Sequence, residues 1–346
     1  MPTLNTNLLY PFLLIFATGK KTCENMGRNI ERSGDTISRA LPTSQQSLAE
    51  TKEICKTIFA KKKSIKVLVD DTILRKMFAR QIEGTGKLYD GVFGMCVNGF
   101  RLCVVMISCG KIAFPWECKI ILPKELTSDR DETKNQVIQR IYIDIQENFP
   151  NAEITMVADG AFATVAMLDW CKIVSARATM RMHRNRRVFY KGESVKISEI
   201  KNFVPQSWRT ARTIQVLWHG HTVFITAEKR MDKHGEITVV YIVSTYKAKP
   251  AVHVKIYKQR WAIEKFFRTS KQILGLQDCA STRFEKHCNH VASVLLAYSI
   301  AQLERIRFRY NNVETAVRAL RKDFFDNSCT RLSALNQILQ VVANCA

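Results

Sequence analysis

Apolar residues along this chain recur with two different periods, and the switches between them divide it into segments. The run Leu8 to Ala17 is dense in apolar residues with Pro11 near its start. It is about half the ~20 residues that a bilayer-spanning helix needs, and no basic region precedes it as in a signal peptide. It therefore reads as a helix of a soluble fold. Residues 1–60 read as helical throughout. Arg28 to Leu41 reads as a short helix, a turn at Ser33-Gly34-Asp35 and a second helix from Thr36. That segment is either a helix-turn-helix with Ile37 facing inward or an αα-hairpin whose basic residues face solvent.

After Lys61, Lys62 and Lys63 the period changes. Ile65 to Val69 is a short β-branched and apolar run that ends in two acids, Asp70 and Asp71, as a buried strand would. Gly91 to Val97 and Phe100 to Ser108 both read as strands, joined through Asn98-Gly99, the dipeptide that tight hairpins prefer. Ser128-Asp129 opens a helix with Val137, Ile138, Ile141 and Ile145 on one face, closed by Pro150. Ile154 to Ala158 is a further strand ending at Asp159-Gly160, followed by a helix over Phe162 to Cys171 and a strand over 173–180. Three strands, helix, strand, helix, strand predicts a mixed α/β sheet with helices packed on it, and both acidic sites lie at strand ends. From Val188 to Tyr246 the runs are short and alternating, such as Val223 to Ala227 and Thr238 to Ser244, which predicts a β-rich insertion. Lys249-Pro250 ends it, and Val252 onward reads as helical.

Composition narrows the function. The 346 residues are 46% hydrophobic, enough for a sizeable core. Fifty-three Lys and Arg against 31 Asp and Glu leave a formal charge of +22, which suits a polyanion and makes nucleic acid the leading partner over a membrane surface. A helix-turn-helix in the N-terminal segment would bring Ser38 and Arg39 to DNA. The eleven cysteines include no Cys-x-x-Cys pair and fit a reducing cytoplasm. Cys279, His287, Cys288 and His290 cluster in the sequence at a spacing that matches no common zinc pattern.

The segment from Tyr257 to Lys271 carries the most specific signal. At about 100° per residue, Tyr257, Arg260, Glu264 and Lys271 fall within an arc of about 60° on one helix, with Arg268 at its edge. Ile256, Ile263, Phe267 and Leu274 occupy an adjacent apolar arc, so the helix can pack on a sheet and hold a carboxylate beside it. Three separated carboxylates can hold two divalent ions about 3.5–4 Å apart for phosphodiester chemistry. Each acid also has an ordinary alternative: Asp70 and Asp71 could open a turn, Asp159 could cap the next helix, and Glu264 could make surface ion pairs.

The pattern Tyr257, two residues, Arg260, three residues, Glu264, six residues, Lys271 resembles the Tyr-Arg-Glu-Lys signature of bacterial insertion-sequence transposases of the DDE class, the insertion-sequence-four type. Val-Leu-Val-Asp70-Asp71-Thr72 resembles the first acidic segment of that family, and Met-Val-Ala-Asp159-Gly160-Ala-Phe162 the second. The resemblance spans about residues 60 to 310 and implies an RNase H-like core, residues 61–187 and 248–310, interrupted by a β-strand insertion over 188–247. Helical regions over 1–60 and 311–346 flank it. It also implies that Asp70 or Asp71, with Asp159 and Glu264, binds two Mg²⁺ or Mn²⁺ ions, Asp70 being favoured because it follows directly on the apolar strand. Tyr257, Arg260, Lys271 and Arg268 would lie near DNA phosphates. The implied partners are terminal inverted repeats, target DNA and at least one further copy of the chain, with no membrane or small-molecule substrate, in a bacterial, nucleoid-associated cytoplasm. Relatives stack a flipped base on a Trp of the insertion; Trp208 and Trp218 lie there, but a core or hairpin role fits each as well, and neither is assigned. Only about 70 residues precede the first acid, which implies an abbreviated end-recognition region or a truncated start. Two alternatives keep the charge and lose part of the chemistry: a nuclease that does not join strands, and a DNA-binding regulator or decayed copy.

Overall fold

The first apolar run is a helix, α1 (Thr6–Phe16), and from Leu8 onward almost all of it is buried. A computed structural model describes residues 6–77, 81–128, 131–207, 210–231 and 235–326 of the chain. Two short helices follow, α2 (Cys23–Arg28) and α3 (Gly34–Arg39), then the longer α4 (Ser44–Phe59), opened by a Thr43 and Gln46 capping box. Ser33-Gly34-Asp35 is not the expected turn: Ser33 caps α3 and the chain reverses just before it, where Glu31 takes a positive φ of 55°. Ile37 is fully buried, Ser38 is partly buried and Arg39 pairs on the surface with Asp35.

The central strand β1 (Ser64–Arg75) buries Ile65, Val67, Leu68 and Val69 completely, as a strand covered on both faces does. β2 (Gly86–Asp90), β3 (Met95–Cys109) and β4 (Ile112–Ile121) come next; β3 lies antiparallel to β1, with Val104 opposite Asp70, and to β4. α5 (Lys134–Asn148) leads into β5 (Glu153–Ala158), parallel to β1, and α6 (Val165–Ile173) into β6 (Arg177–Met182), parallel to β5. The resulting order β4-β3-β1-β5-β6 gives the mixed α/β class and the RNase H-like arrangement expected.

The alternating segment continues the same sheet. β7 (Arg187–Tyr190), β8 (Glu193–Lys196), β9 (Ala211–Trp218), β10 (His221–Met231) and β11 (Ile237–Ser244) extend it, with β11 antiparallel to β6 and Ser244 opposite Thr179. Trp218 is buried in this extension, while Trp208 lies outside the described residues. The chain then turns helical through α7 (Pro250–Lys258), α8 (Trp261–Gln272), α9 (Phe284–Arg307) and α10 (Val313–Asp326). The long α9 buries one side chain after another and packs against α1, α4, α10 and β4, so N- and C-terminal helices share one core with the sheet. Among the described residues no helix is long and apolar enough to cross a membrane.

Four further local expectations need correction. Asn98-Gly99 is not a hairpin turn but the middle of β3. A Cβ on Gly99 would lie 2.4 Å from the Leu74 carbonyl oxygen, so glycine is needed there for the close approach of β1. The turn falls at Asp90 to Gly94, where the Asp90 carboxylate accepts from Val92 N–H and Gly94 takes a φ of 65°. The helix expected from Ser128-Asp129 starts at Lys134 behind a Thr133 and Gln136 capping box, because Ser128 N–H instead bonds Asp131; Asp129 lies outside the described residues. The strand expected over 173–180 begins only at Arg177, after Ser175 at a φ of 53°. Tyr257 to Lys271 is not one uniform helix: between α7 and α8 the bonds run three residues back, from Gln259 to Ile256, Arg260 to Tyr257 and Ile263 to Arg260. That 3₁₀ pinch turns the chain by about 120° per residue instead of 100°, so Tyr257 and Glu264 are out of the phase a straight helix would give.

Candidate active site

Adjacent residues of a strand face opposite sides, and Asp70 and Asp71 do so. Asp71 turns toward the start of α5, where Oδ1 accepts from Lys134 at 2.9 Å and Oδ2 from Arg101 at 2.8 Å. Asp70 turns toward α8. Its Oδ2 accepts from Arg260 at 2.9 Å, and the other arm of the same guanidinium donates to Glu264 Oε1. Asp159 comes into this neighbourhood through sheet register. Val69 pairs with Ala158, so the next residue of each parallel strand is an acid. Asp159 Oδ1 accepts from Ala161 N–H at 2.8 Å, which shapes the turn leaving β5.

The electrostatics follow from burial. Removal from water pushes the Asp70 carboxyl up to about 7; the Arg260 charge opposes the rise and the Asp159 charge adds to it. Acids on β1 and α8 thus share a single guanidinium, with the Asp159 charge close enough to act on Asp70. Among the described residues no three His, Cys, Asp or Glu side chains stand close enough to hold an ion as arranged, because Arg260 bridges Asp70 to Glu264 and Asp159 is bonded within its own turn. The donors nevertheless suit a hard divalent cation: they are carboxylate oxygens, and one of them is held in a charge state that a further positive charge would relieve.

The other residues of the sequence pattern divide. Tyr257 is buried, with its ring centre 5.9 Å from the Arg260 guanidinium carbon, and burial pushes its hydroxyl pKa up. Lys271 donates to Thr72 Oγ1 at 2.6 Å and to the Ile73 carbonyl at 3.4 Å. These acceptors are neutral, so its charge sits beside the acidic strand end with no ion pair among the described residues. Arg268 is turned away to Glu314 of α10 at 3.3 Å and does not reach the acids. Ile263, Phe267 and Leu274 are buried as their spacing predicts and hold α8 against the sheet.

A cleft of about 440 Å³ opens at Glu264 and Arg260. Arg181 of β6, Arg230 of β10 and Trp261 also line it, and sequence reading picked out none of the three. Arg181 left a weak mark as the exposed charge in the otherwise largely buried β6 pattern, and Trp261 as an aromatic, 58% exposed, directly after Arg260. Arg230 pairs with the buried Glu228, and its Nη2 is buried with no partner among the described residues. The Cys279 to His290 cluster is committed elsewhere. His287 and His290 donate from Nε2 to the Ser281 and Gly275 carbonyls, and His290 Nδ1 accepts from the Tyr10 hydroxyl at 2.8 Å.

Two family models match the chain. One, described as DDE superfamily endonuclease, covers residues 7–202; the other, described as transposase DDE domain, covers residues 119–300. Asp70 falls within the first, Glu264 within the second and Asp159 within both. No curated protein matches. Each family model spans more than half of the chain, and the chain belongs to the DDE superfamily of endonucleases and transposases, enzymes that act on DNA.

Proposed function

We propose that the chain is an insertion-sequence transposase that cuts DNA at the ends of its element and joins the freed 3′ ends to target DNA. Asp70, Asp159 and Glu264 would hold two Mg²⁺ or Mn²⁺ ions, with Asp71 left to fasten α5. When bound, such ions polarise the phosphoryl oxygen and activate water or a 3′-hydroxyl. The observation that carries this reading is the convergence of Asp70 and Glu264, from β1 and α8, on the two arms of Arg260, which lies 190 residues beyond Asp70 in sequence, beside Asp159.

The residues of the chain supply what the reaction needs besides metal. Arg260 presents a planar fork already turned toward carboxylates, and the same fork suits phosphate oxygens. Lys271 brings a charge that no carboxylate among the described residues pairs with, and Tyr257 lies against Arg260 from the buried side. Arg181 and Arg230 give the cleft a cationic wall for a strand backbone, and Trp261 offers an exposed ring on which a base can stack. Residues 61–187 and 248–310 would form the catalytic core, 188–247 the insertion, and 1–60 and 311–346 the flanking regions. Pairing two element ends would take at least a dimer.

A cleavage assay tests the reading, with labelled DNA carrying the element ends, a target plasmid and Mg²⁺ or Mn²⁺. Glu264→Ala and Asp159→Ala are expected to abolish cutting and joining while DNA binding survives, because the acids serve the metals and the basic surface serves the phosphates. Full cleavage by Glu264→Ala would rule out this set of acids. Cutting without joining would make the protein a nuclease, and binding without cutting a regulator.

A further inference from the structure

A second cleft lies on the other side of the first turn of α8. Its volume is about 630 Å³, it runs between the β3–β4 turn, α7, α8 and the α9–α10 connection, and it shares Lys258 and Trp261 with the cleft at Glu264. Six cations line it, Lys111, Lys255, Lys258, Lys265, Arg268 and Arg305, against one carboxylate, Glu314. That carboxylate is already taken by Arg268 and the Thr269 hydroxyl, and Lys258 is paired with Glu228. Lys111, Lys255 and Lys265 are exposed and make no ion pair among the described residues.

We infer that this cleft binds the phosphate backbone of a duplex segment without regard to sequence, separately from the strand held at Glu264. The inference rests on the proposed reaction for its purpose, since strand joining brings a second DNA to the same acids, but its physical basis is independent. Three unpaired ammonium groups from β-turn, α7 and α8 converge on one concave surface. They cost repulsion in the free protein that a polyanion removes, and point charges on flexible stems recognise phosphates rather than base edges. The two clefts share Lys258 and Trp261 and so adjoin at the start of α8.

The test is the salt dependence of binding to a labelled random-sequence duplex, followed by fluorescence anisotropy with the full chain and no divalent metal. A Lys111→Glu, Lys255→Glu, Lys265→Glu triple variant is compared with a Lys61→Glu, Lys62→Glu, Lys63→Glu variant, which changes net charge equally at the α4–β1 junction. Each phosphate contact contributes about 0.9 to the slope of log affinity against log salt, so the cleft variant should lose about 2 to 3 from its slope and the junction variant little. Equal losses in both variants, or no loss in the cleft variant, would overturn the inference. Thermal melts check that both variants fold. The reading at Glu264 fails separately, by absence of metal-dependent cleavage in the unmodified protein, whatever the salt slopes show.

Discussion

Replacing Asp70 by Asn should stabilise the metal-free protein at alkaline pH. The Asp70 carboxyl is raised from 3.8 to about 7, chiefly by burial, so the folded state prefers it protonated. The unfolded carboxyl ionises near its ordinary value, and between the two the folded chain binds more protons. The group therefore adds no penalty well below pH 4, and its penalty grows as pH rises and is complete above pH 7. A shift of about 3 pH units corresponds to a ceiling of about 4 kcal/mol. Asn is neutral and nearly the same shape, but it gives up the charge on Arg260, which keeps Glu264; a net gain of about 1 to 3 kcal/mol at pH 8 is expected. Urea unfolding of the two proteins at pH 8 and pH 4 measures it as a difference in midpoint at constant slope. The gain should shrink at pH 4, and saturating Mg²⁺ should narrow it at pH 8 by stabilising the Asp70 form alone. A loss of stability at pH 8, or the same difference at both pH values, would refute the reasoning that burial and charge shortage strain this carboxylate.

Three further outcomes are expected. His287 and His290 are both pushed down to about 4 by burial, so the unfolded chain binds more protons between pH 6.5 and 4 and stability is lost as pH falls through that window, by up to about 3 kcal/mol for each. In an Asp70→Asn background, which removes the opposing contribution, unfolding midpoints that do not fall from pH 7 to pH 4 would contradict this. Thr226→Val should cost about 1–3 kcal/mol, read by thermal or urea unfolding, because the Thr226 hydroxyl lies 2.7 Å from Thr213 and 2.9 Å from the buried His253 Nδ1, whose Nε2 donates to the Tyr246 carbonyl. An unchanged midpoint would mean that the network is replaced without loss. Lys271→Ala should weaken binding to element-end DNA and lower its salt slope by about 1, and binding unchanged across salt would remove the phosphate role of Lys271.

The strands that carry the acids were readable because a strand covered on both faces is largely apolar, and Ile65 to Val69 and Ile154 to Ala158 are such runs, broken only by the mutually bonded Lys66 and Thr155, with acids where they emerge. The packing face of α8 was readable for the complementary reason: Ile263, Phe267 and Leu274 sit at helical spacing and are all buried. What escaped was decided by contacts between distant residues. Nothing near Asn98-Gly99 announces that Leu74 of another strand approaches at that point, so a good hairpin dipeptide was read as a turn. The 3₁₀ pinch at Gln259 and Arg260 carries no proline or glycine to announce it. Arg181 and Arg230 reach the cleft only because β11 lies on β6 and β10 on β11, pairings that no local pattern encodes.

That last pairing sets a counting rule for the enzyme. β11 delivers the chain to α7 and then to Glu264, and its end is fastened to β6 by the buried Ser244 and Thr179 hydroxyls at 3.2 Å and by Thr245, which bonds the backbone of Ala176 and Ala178. Side chains on a strand alternate, so dropping one residue from β11 exchanges its two faces, whereas dropping two preserves them. β11 and the helix that carries Glu264 are therefore coupled by parity. β11 can shorten or lengthen in pairs and keep Val240 in the wall of the cleft at Glu264, and a change by a single residue between Val240 and Ser244 turns that position to the other face.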